Sequence, residues 1–151
     1  MLALSVTMPG LGLVLAACGS TFPGNTLAEQ VSGWAKTTGF SAQVSTVQGD
    51  LRRIAVAGQS PGSVRTVCDV LETDVLAANQ NLPTPDHALT TFLSDAYSAA
   101  GTAGRDCFSS AGGSTRLTAA ALAQRTTARR DLIKALARYD SLTVGLADGS
   151  P

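Results

Sequence analysis

Five residues of this 151-residue sequence have chemically reactive side chains in informative surroundings. They are three cysteines (Cys18, Cys68 and Cys107), the serine of a Gly-x-Ser-x-Gly pattern (Ser60) and the sole histidine (His87). A thiol can accept a lipid, form a disulfide or bind a metal, and a serine or histidine can take part in covalent or acid–base catalysis. The residues around each one decide which role the sequence predicts.

Cys18 stands at the end of an apolar run. Residues 1–17 carry no charge, and a short apolar run that ends in small residues is typical of a secretion signal. Leu15-Ala16-Ala17-Cys18 resembles the lipobox of bacterial lipoproteins. That resemblance implies cleavage between Ala17 and Cys18, with a diacylglyceryl group on the sulfur and palmitate-like acyl chains. The alternative is a cysteine buried in an ordinary apolar helix.

This reading divides the chain into four segments. We expect a lipoprotein signal peptide at residues 1–17, although it lacks the Lys or Arg that usually begins one, which is consistent with a start upstream of Met1. Residues 18–25 are then the lipidated cysteine and its Gly/Ser/Pro tether. Residues 26–144 form a helical bundle domain, and residues 145–151 form a disordered tail. Two or more acyl chains hold a protein stably at a bilayer where one does not.

Cys68 and Cys107 remain after lipidation has used Cys18. An even pair in an exported protein predicts a disulfide, because the compartment is oxidising. The alternative is two free, buried thiols. A metal site is not predicted, because the chain has no Cys-x-x-Cys pattern and a single His.

Ser60 lies in Gly58-Gln59-Ser60-Pro61-Gly62, which matches the Gly-x-Ser-x-Gly pattern of hydrolases. That pattern makes a nucleophile elbow only between a strand and a helix. Here a helical pattern precedes it, and Ser followed by Pro predicts a helix N-cap and first turn. We therefore expect a structural serine and no catalytic residue.

His87 and Trp34 each have a structural and a functional interpretation. His87 follows Asp86 in the first turn of a predicted helix, and no partnered nucleophile stands near it in the sequence. Trp34 is expected in the core, with ligand stacking as the alternative. The sequence predicts no cofactor.

The apolar spacing predicts helices throughout residues 26–144. A short leading helix begins with a capping box at Thr26 and Glu29 and ends near Gly39. The second predicted helix starts at Phe40 and closes at Gly58. The third starts at Ser60-Pro61 and ends near Asn79.

Two further helices complete the expected fold. One is capped by Thr84 with Pro85 in its first turn, and the other is capped by Ser114. The sequence therefore predicts an all-α, four-helix bundle with a short leading helix, and one disulfide between the second and third long helices. The inward stripe of the last helix comprises Leu117, Ala121, Ala128, Leu132, Leu136, Tyr139 and Leu142.

The predicted helices separate the charges by sign. Eleven Lys and Arg residues balance eleven Asp and Glu residues, so no net charge favours nucleic acid. Acidic residues gather in the middle helices and basic residues in the last: Asp69, Glu72, Asp74, Asp86 and Asp95, against Arg125, Arg129, Arg130, Lys134 and Arg138. We expect solvated faces with weak inter-helix pairs. A patch for anionic headgroups or polymers is the alternative.

The chain resembles small actinobacterial lipoproteins of the mycobacterial type. The lipobox carries this likeness together with the run from Cys68 to Cys107, which contains "LPTPD" and "AY". The resemblance implies a helical domain anchored by lipid to the extracytoplasmic face of the cell membrane, and it implies no activity. We expect a non-enzymatic binding or interaction domain of the cell envelope, with a possible envelope protein as partner. The alternative is a carrier that holds a small apolar ligand between its helices.

Overall fold

The computed structural model describes residues 26–56, 60–112 and 117–147, with side chains to residue 144. Five helices account for nearly all of them: α1 (Leu27–Thr38), α2 (Phe40–Val56), α3 (Pro61–Asn79), α4 (His87–Ser110) and α5 (Ala119–Ala147). No strand occurs in these ranges, so the all-helical prediction is confirmed. None of the described helices is both long enough and apolar enough to cross a membrane.

Two of the helix starts follow the predicted capping chemistry. Thr26 and Glu29 form a complete capping box at α1, and the side chain of Ser60 accepts the amide proton of Ser63 at the start of α3. Gly39 ends α1 with φ of +67°, a left-handed conformation that favours glycine, and α2 begins at the next residue. The chain therefore turns from α1 into α2 through a single residue.

The start of α4 differs from the prediction of a Thr84 cap followed by Pro85. Asp86 is the N-cap, because its Oδ1 accepts the amide proton of Leu89 at 2.7 Å. The Thr84 hydroxyl instead accepts the Asp86 amide proton and lies 3.0 Å from the Thr90 hydroxyl. Thr84 thus shapes the turn that presents Asp86 to the helix.

The predicted end of α2 and the predicted start of α5 fall outside the described residues, and α5 ends later than predicted. Gly58 and Ser114 lie outside the described residues; α2 is helical to Val56, and the Thr118 hydroxyl accepts the amide proton of Ala121 at the start of α5. Helix α5 continues to Ala147, so residues 145–147 are helical and do not belong to a disordered tail. Residues 148–151 lie outside the described ranges.

All five helices contribute to one core, and α1 packs mainly against α5. Helix α4 makes the most extensive contacts, with α5 on one side and α3 on the other, and α2 packs against α3. An aromatic cluster closes one end: the ring of Phe40 is centred 5.1 Å from that of Trp34 and 5.0 Å from that of Tyr139. Trp34 is 1% exposed, and its indole nitrogen donates to the Asn81 carbonyl at 2.9 Å, so the prediction of a core tryptophan is confirmed.

The predicted disulfide joins α3 and α4. Cys68 and Cys107 are fully buried and bonded, with their Cα atoms 5.7 Å apart and a sequence separation of 39 residues. Cys68 lies ~16 Å before the end of α3, whereas Cys107 lies ~30 Å after the start of α4. Residues 80–86 therefore carry the chain outward, and the first turns of α4 extend past the end of α3. In the chain-entropy model a loop of this length stabilises the fold by about 4 kcal/mol.

Small residues bring α3 and α4 close together. A Cβ atom added at Gly104 would lie 3.2 Å from the Cys68 carbonyl oxygen and 3.5 Å from the Glu72 amide nitrogen. The buried face of α4 also carries Ala96, Ala100 and Ala103. The backbones of α3 and α4 thus approach each other where the disulfide joins them.

Candidate functional site

The predicted lipidation residue lies outside the described residues. Ala17 and Cys18 belong to residues 1–25, of which the structure describes nothing, so signal cleavage and acylation stay predictions from the sequence. The described residues begin at Thr26, eight residues after Cys18. The other candidate sites lie on the described residues.

Ser60 occupies an exposed position at the start of α3. Its Oγ accepts the Ser63 amide proton at 3.2 Å and lies 3.1 Å from the Ser63 Oγ. The hydroxyl is thus occupied with capping, as the sequence predicted, and in the described ranges no strand leads to it. A nucleophile elbow requires that strand.

His87 is the exposed first residue of α4. Its Nδ1 lies 3.4 Å from the Thr91 hydroxyl. The neighbouring Asp86 carboxylate does not pair with His87, because it accepts hydrogen bonds from the Leu89 amide and from the Arg138 guanidinium of α5. The structure therefore does not bring Asp86, His87 and Ser60 together as a catalytic set.

A buried acid pair lies between α2 and α3. Asp50 is fully buried, its Oδ1 is paired with Arg53, and its Oδ2 has no hydrogen-bond partner among the described residues. Burial raises the pKa of Asp50 to about 6, and the neighbouring Asp74 carboxyl adds to that shift, whereas Arg53 opposes it. Asp50 and Asp74 are thus neighbouring carboxyl groups, one fully buried and the other half-buried, and Asp50 holds its proton more tightly than an exposed aspartate does.

An open groove of about 300 Å³ lies between α3 and α4. Its floor includes Val75, Gly101 and the buried Tyr97, whose pKa burial raises to about 12. Polar groups surround that floor, among them Arg105, which pairs with Glu72 at 3.6 Å. The lining of the groove therefore mixes apolar and polar side chains, with this ion pair among them.

The outer face of α5 carries large apolar side chains in a straight row. Leu122, Ile133 and Val144 are 43%, 62% and 62% exposed. They recur every eleven residues, which is about three helical turns or ~16 Å, so they lie on the same side of the helix with polar residues between them. We call this row the α5 outer stripe. It faces away from Ala121, Ala128, Leu132 and Ala135, which α5 buries in the core.

Basic side chains flank the α5 outer stripe. Arg129, Arg130 and Lys134, together with Ile133 and Thr126, line a shallow depression of about 360 Å³. Arg130 and Lys134 share one carboxylate, Asp131, at 3.3 and 2.8 Å, and their hydrogen bonds lower its pKa. Arg129 makes no ion pair with any side chain in the described ranges. The depression therefore carries three cations and one largely buried anion.

The predicted charge separation leads to one direct bond between the acidic helices and the basic one. Arg138 of α5 binds both carboxylate oxygens of Asp86 at the start of α4. The other described ion pair between helices joins Glu72 and Arg105, on α3 and α4. Arg129 and Arg130 are consequently left facing solvent on α5.

Two features of the site escaped the sequence analysis. Only the inward stripe of α5 was predicted, and Leu122, Ile133 and Val144, which lie outside it, were not considered. Their eleven-residue spacing can be read from the sequence. Asp50 lies three residues after Val47 and four before Ile54, on the predicted buried face of α2. A charged residue at that register is a signal for an unusual buried group.

Comparison with known proteins assigns this all-helical, disulfide-linked domain to no family. No protein-family model matches the sequence, and neither a curated protein nor a solved structure shows significant similarity to the chain. In the described ranges, no group of three or more His, Cys, Asp or Glu side chains is placed to hold a metal ion.

Proposed function

We propose that this protein is a lipid-anchored lipoprotein on the extracytoplasmic face of the cell membrane. It acts without catalysis, as a binding or interaction domain of the cell envelope. In this proposal α2 to α5 form a four-helix bundle with α1 as the short leading helix. The anchor is the diacylglyceryl-modified Cys18, and the interaction surface is the outer face of α5.

The observation that carries this proposal is the exposed α5 outer stripe. A surface helix normally presents a polar face to water, and exposed aliphatic side chains on one side of a helix with basic residues beside them are typical of an interaction surface. Leu122, Ile133 and Val144 form such a surface with the basic residues beside them. Other large exposed apolar side chains are spread over the other four helices: Leu27, Val56, Val70, Leu76 and Phe108.

Two alternatives receive less support. A carrier of an apolar ligand calls for a cavity lined by Ala and Val, whereas the groove between α3 and α4 is open and its lining includes Glu72, Asn79 and Arg105. An enzyme calls for aligned catalytic groups, whereas Ser60 and His87 are engaged at separate helix starts. These placements favour the interaction domain.

Site-specific photo-crosslinking in the anchored protein tests the proposal. A photoreactive residue at Ile133 reports on the outer face of α5, and one at Leu76 of α3, which is 59% exposed, is the matched control. We expect adducts, with lipid or with protein, at position 133 and far fewer at position 76. Equal yields at both positions, or none at position 133, would contradict the proposed surface.

A further inference from the structure

Three features have no evident role in holding the fold together: the groove between α3 and α4, the carboxyl pair of Asp50 and Asp74, and the outer face of α5. The groove offers no group that selects one ligand chemistry, and Asp50 faces a single carboxylate and one arginine. The outer face of α5 combines apolar residues with unbalanced positive charge. That combination specifies the chemistry of its partner.

We infer that the outer face of α5 lies on an anionic phospholipid surface, that of the membrane which holds the lipid anchor. The inference rests on the proposed function and names the partner of the same surface. Arginine guanidinium groups bind phosphate oxygens with paired hydrogen bonds, and exposed aliphatic side chains enter the headgroup region beside them. The depression around Ile133 provides both kinds of group within one turn of helix.

Charge favours a lipid surface over a second copy of this chain. Arg129 and Arg130 both stand on the exposed side of α5, near Ile133. Asp140 is exposed on the same helix, close to Val144, so the positive charge is concentrated toward Leu122 and Ile133. Two such faces would bring arginines against arginines, whereas an anionic bilayer attracts both.

The length of the tether makes this contact geometrically accessible. Cys18 and Thr26 are separated by eight residues, which reach at most ~28 Å when fully extended. The domain therefore stays within that distance of the bilayer once Cys18 is acylated. Helix α1, which follows the tether directly, packs against α5, so α5 belongs to the part of the domain that is tied closest to the anchor.

Vesicle binding by a protein that lacks the lipid tests whether α5 itself binds the membrane, independently of the anchor at Cys18. The test protein is residues 18–151 with Cys18→Ser, which contains every core residue from Val31 to Ala135. Its binding to phosphatidylcholine vesicles is compared with binding to vesicles in which a third of the lipid is phosphatidylglycerol. We expect binding to the anionic vesicles alone, weakening as salt is added.

Two pairs of variants locate the contact. Replacing Arg129 and Arg130 by Gln should lower the partition coefficient on anionic vesicles at least ~10-fold, because each basic residue near such a surface contributes to binding. Replacing Lys36 and Arg65 by Gln changes the net charge equally on α1 and α3 and should have little effect. Ile133→Gln should weaken binding more than Leu76→Gln. All six substituted residues are exposed to solvent, and circular dichroism verifies that each of the four variants is folded.

Several results would overturn the inference. These are no binding to anionic vesicles, equal binding to neutral ones, or equal losses in the Arg129/Arg130 and Lys36/Arg65 variants. Self-association that Ile133→Gln abolishes would assign the face to a second copy instead. None of these outcomes bears on acylation of Cys18. Crosslinks from position 133 to protein alone would preserve the proposed interaction domain while excluding the lipid surface.

Discussion

Arg138 on α5 holds the carboxylate of Asp86 at the start of α4, with hydrogen bonds of 3.1 and 2.7 Å to its two oxygens. One of those oxygens also accepts the Leu89 amide proton and caps α4. The hydrogen bonds from Arg138 are the main cause that lowers the pKa of Asp86. A single carboxylate therefore both begins α4 and fixes it to α5.

Removing this carboxylate should cost more than removing its partner. Asp86→Ala loses the cap and the ion pair together, so we expect the free energy of unfolding to fall by about 2 kcal/mol. Arg138→Gln keeps the cap and removes a pair that is partly open to solvent, so its cost should stay below about 1 kcal/mol. Urea unfolding measures both, and Asp95→Ala, an exposed position on α4, is the control. Equal losses at Asp86 and Arg138 would contradict the double role.

The buried pair of Asp50 and Asp74 predicts an unusual dependence of stability on pH. The pKa of Asp50 rises from 3.8 to about 6 on folding, so the folded protein binds this proton more tightly than the unfolded chain. Its contribution to stability is therefore fully present below pH ~4 and is lost as pH rises through about 6. Asp50→Asn should remove this decline and should be more stable than the original protein at pH 7.5.

The same experiment includes its own controls. Asp74→Asn removes the like charge beside Asp50 and should shift the decline to lower pH, whereas Asp69→Asn changes an exposed carboxylate on the same helix. Unfolding free energies at pH 5 and pH 7.5 provide the comparison. If Asp50→Asn retains the pH dependence of the original protein, the acid pair is not its cause.

Two glycines in helices should respond oppositely to alanine. Gly49 of α2 has open space where a Cβ would stand, so Gly49→Ala should stabilise the protein by about 0.5–1 kcal/mol through helix propensity. Gly104→Ala places a Cβ against backbone atoms of Cys68 and Glu72, which cannot rotate away. We expect a net loss of about 1 kcal/mol or more. Thermal unfolding of the two variants decides it, and a similar gain at both would disprove the close approach of α3 and α4.

Ser60 provides the test of the non-enzymatic proposal. Ser60→Ala removes the cap of α3 and should lower the free energy of unfolding by about 1 kcal/mol, with no other consequence. A fluorophosphonate probe, which labels activated serines, should leave the original protein unmodified at this position. Labelling of Ser60, read by mass spectrometry of the peptides, would require the hydrolase interpretation to be reopened.

The sequence predicted those parts of the fold that depend on local chemistry. Thr26 with Glu29, and Ser60 with Pro61, cap helices by contacts with their own neighbours. The bond between Cys68 and Cys107 was predicted from their even number and from the oxidising compartment that the sequence leads us to expect. The recurrence of apolar residues every three or four positions was sufficient to predict all five helices. These features need no knowledge of the tertiary structure.

The start of α4 and the outer face of α5 depended on more distant contacts. Thr84-Pro85 has the same local pattern as Ser60-Pro61, yet Asp86 is the N-cap of α4. Arg138 of α5 binds the Asp86 carboxylate, and the Thr90 hydroxyl contacts that of Thr84. In α5 the predicted inward stripe is confirmed: Ala121, Ala128 and Leu132 are buried, and Leu136, Tyr139 and Leu142 pack against the core. The sequence could not tell whether another helix would also cover the apolar residues outside that stripe. Packing against α4 buries Leu132, and Ile133 stays exposed.

The mass of the mature amino terminus tests the central claim, that a lipid anchor at Cys18 holds this interaction domain on the membrane. The protein is expressed in an actinobacterial host, purified from membranes and digested, and its amino-terminal peptide is analysed by mass spectrometry. We expect that peptide to begin at Cys18 and to carry the mass of a diacylglyceryl group, and we expect Cys18→Ser to accumulate as an uncleaved precursor without lipid. An unmodified Cys18, or cleavage at another bond, would contradict the account.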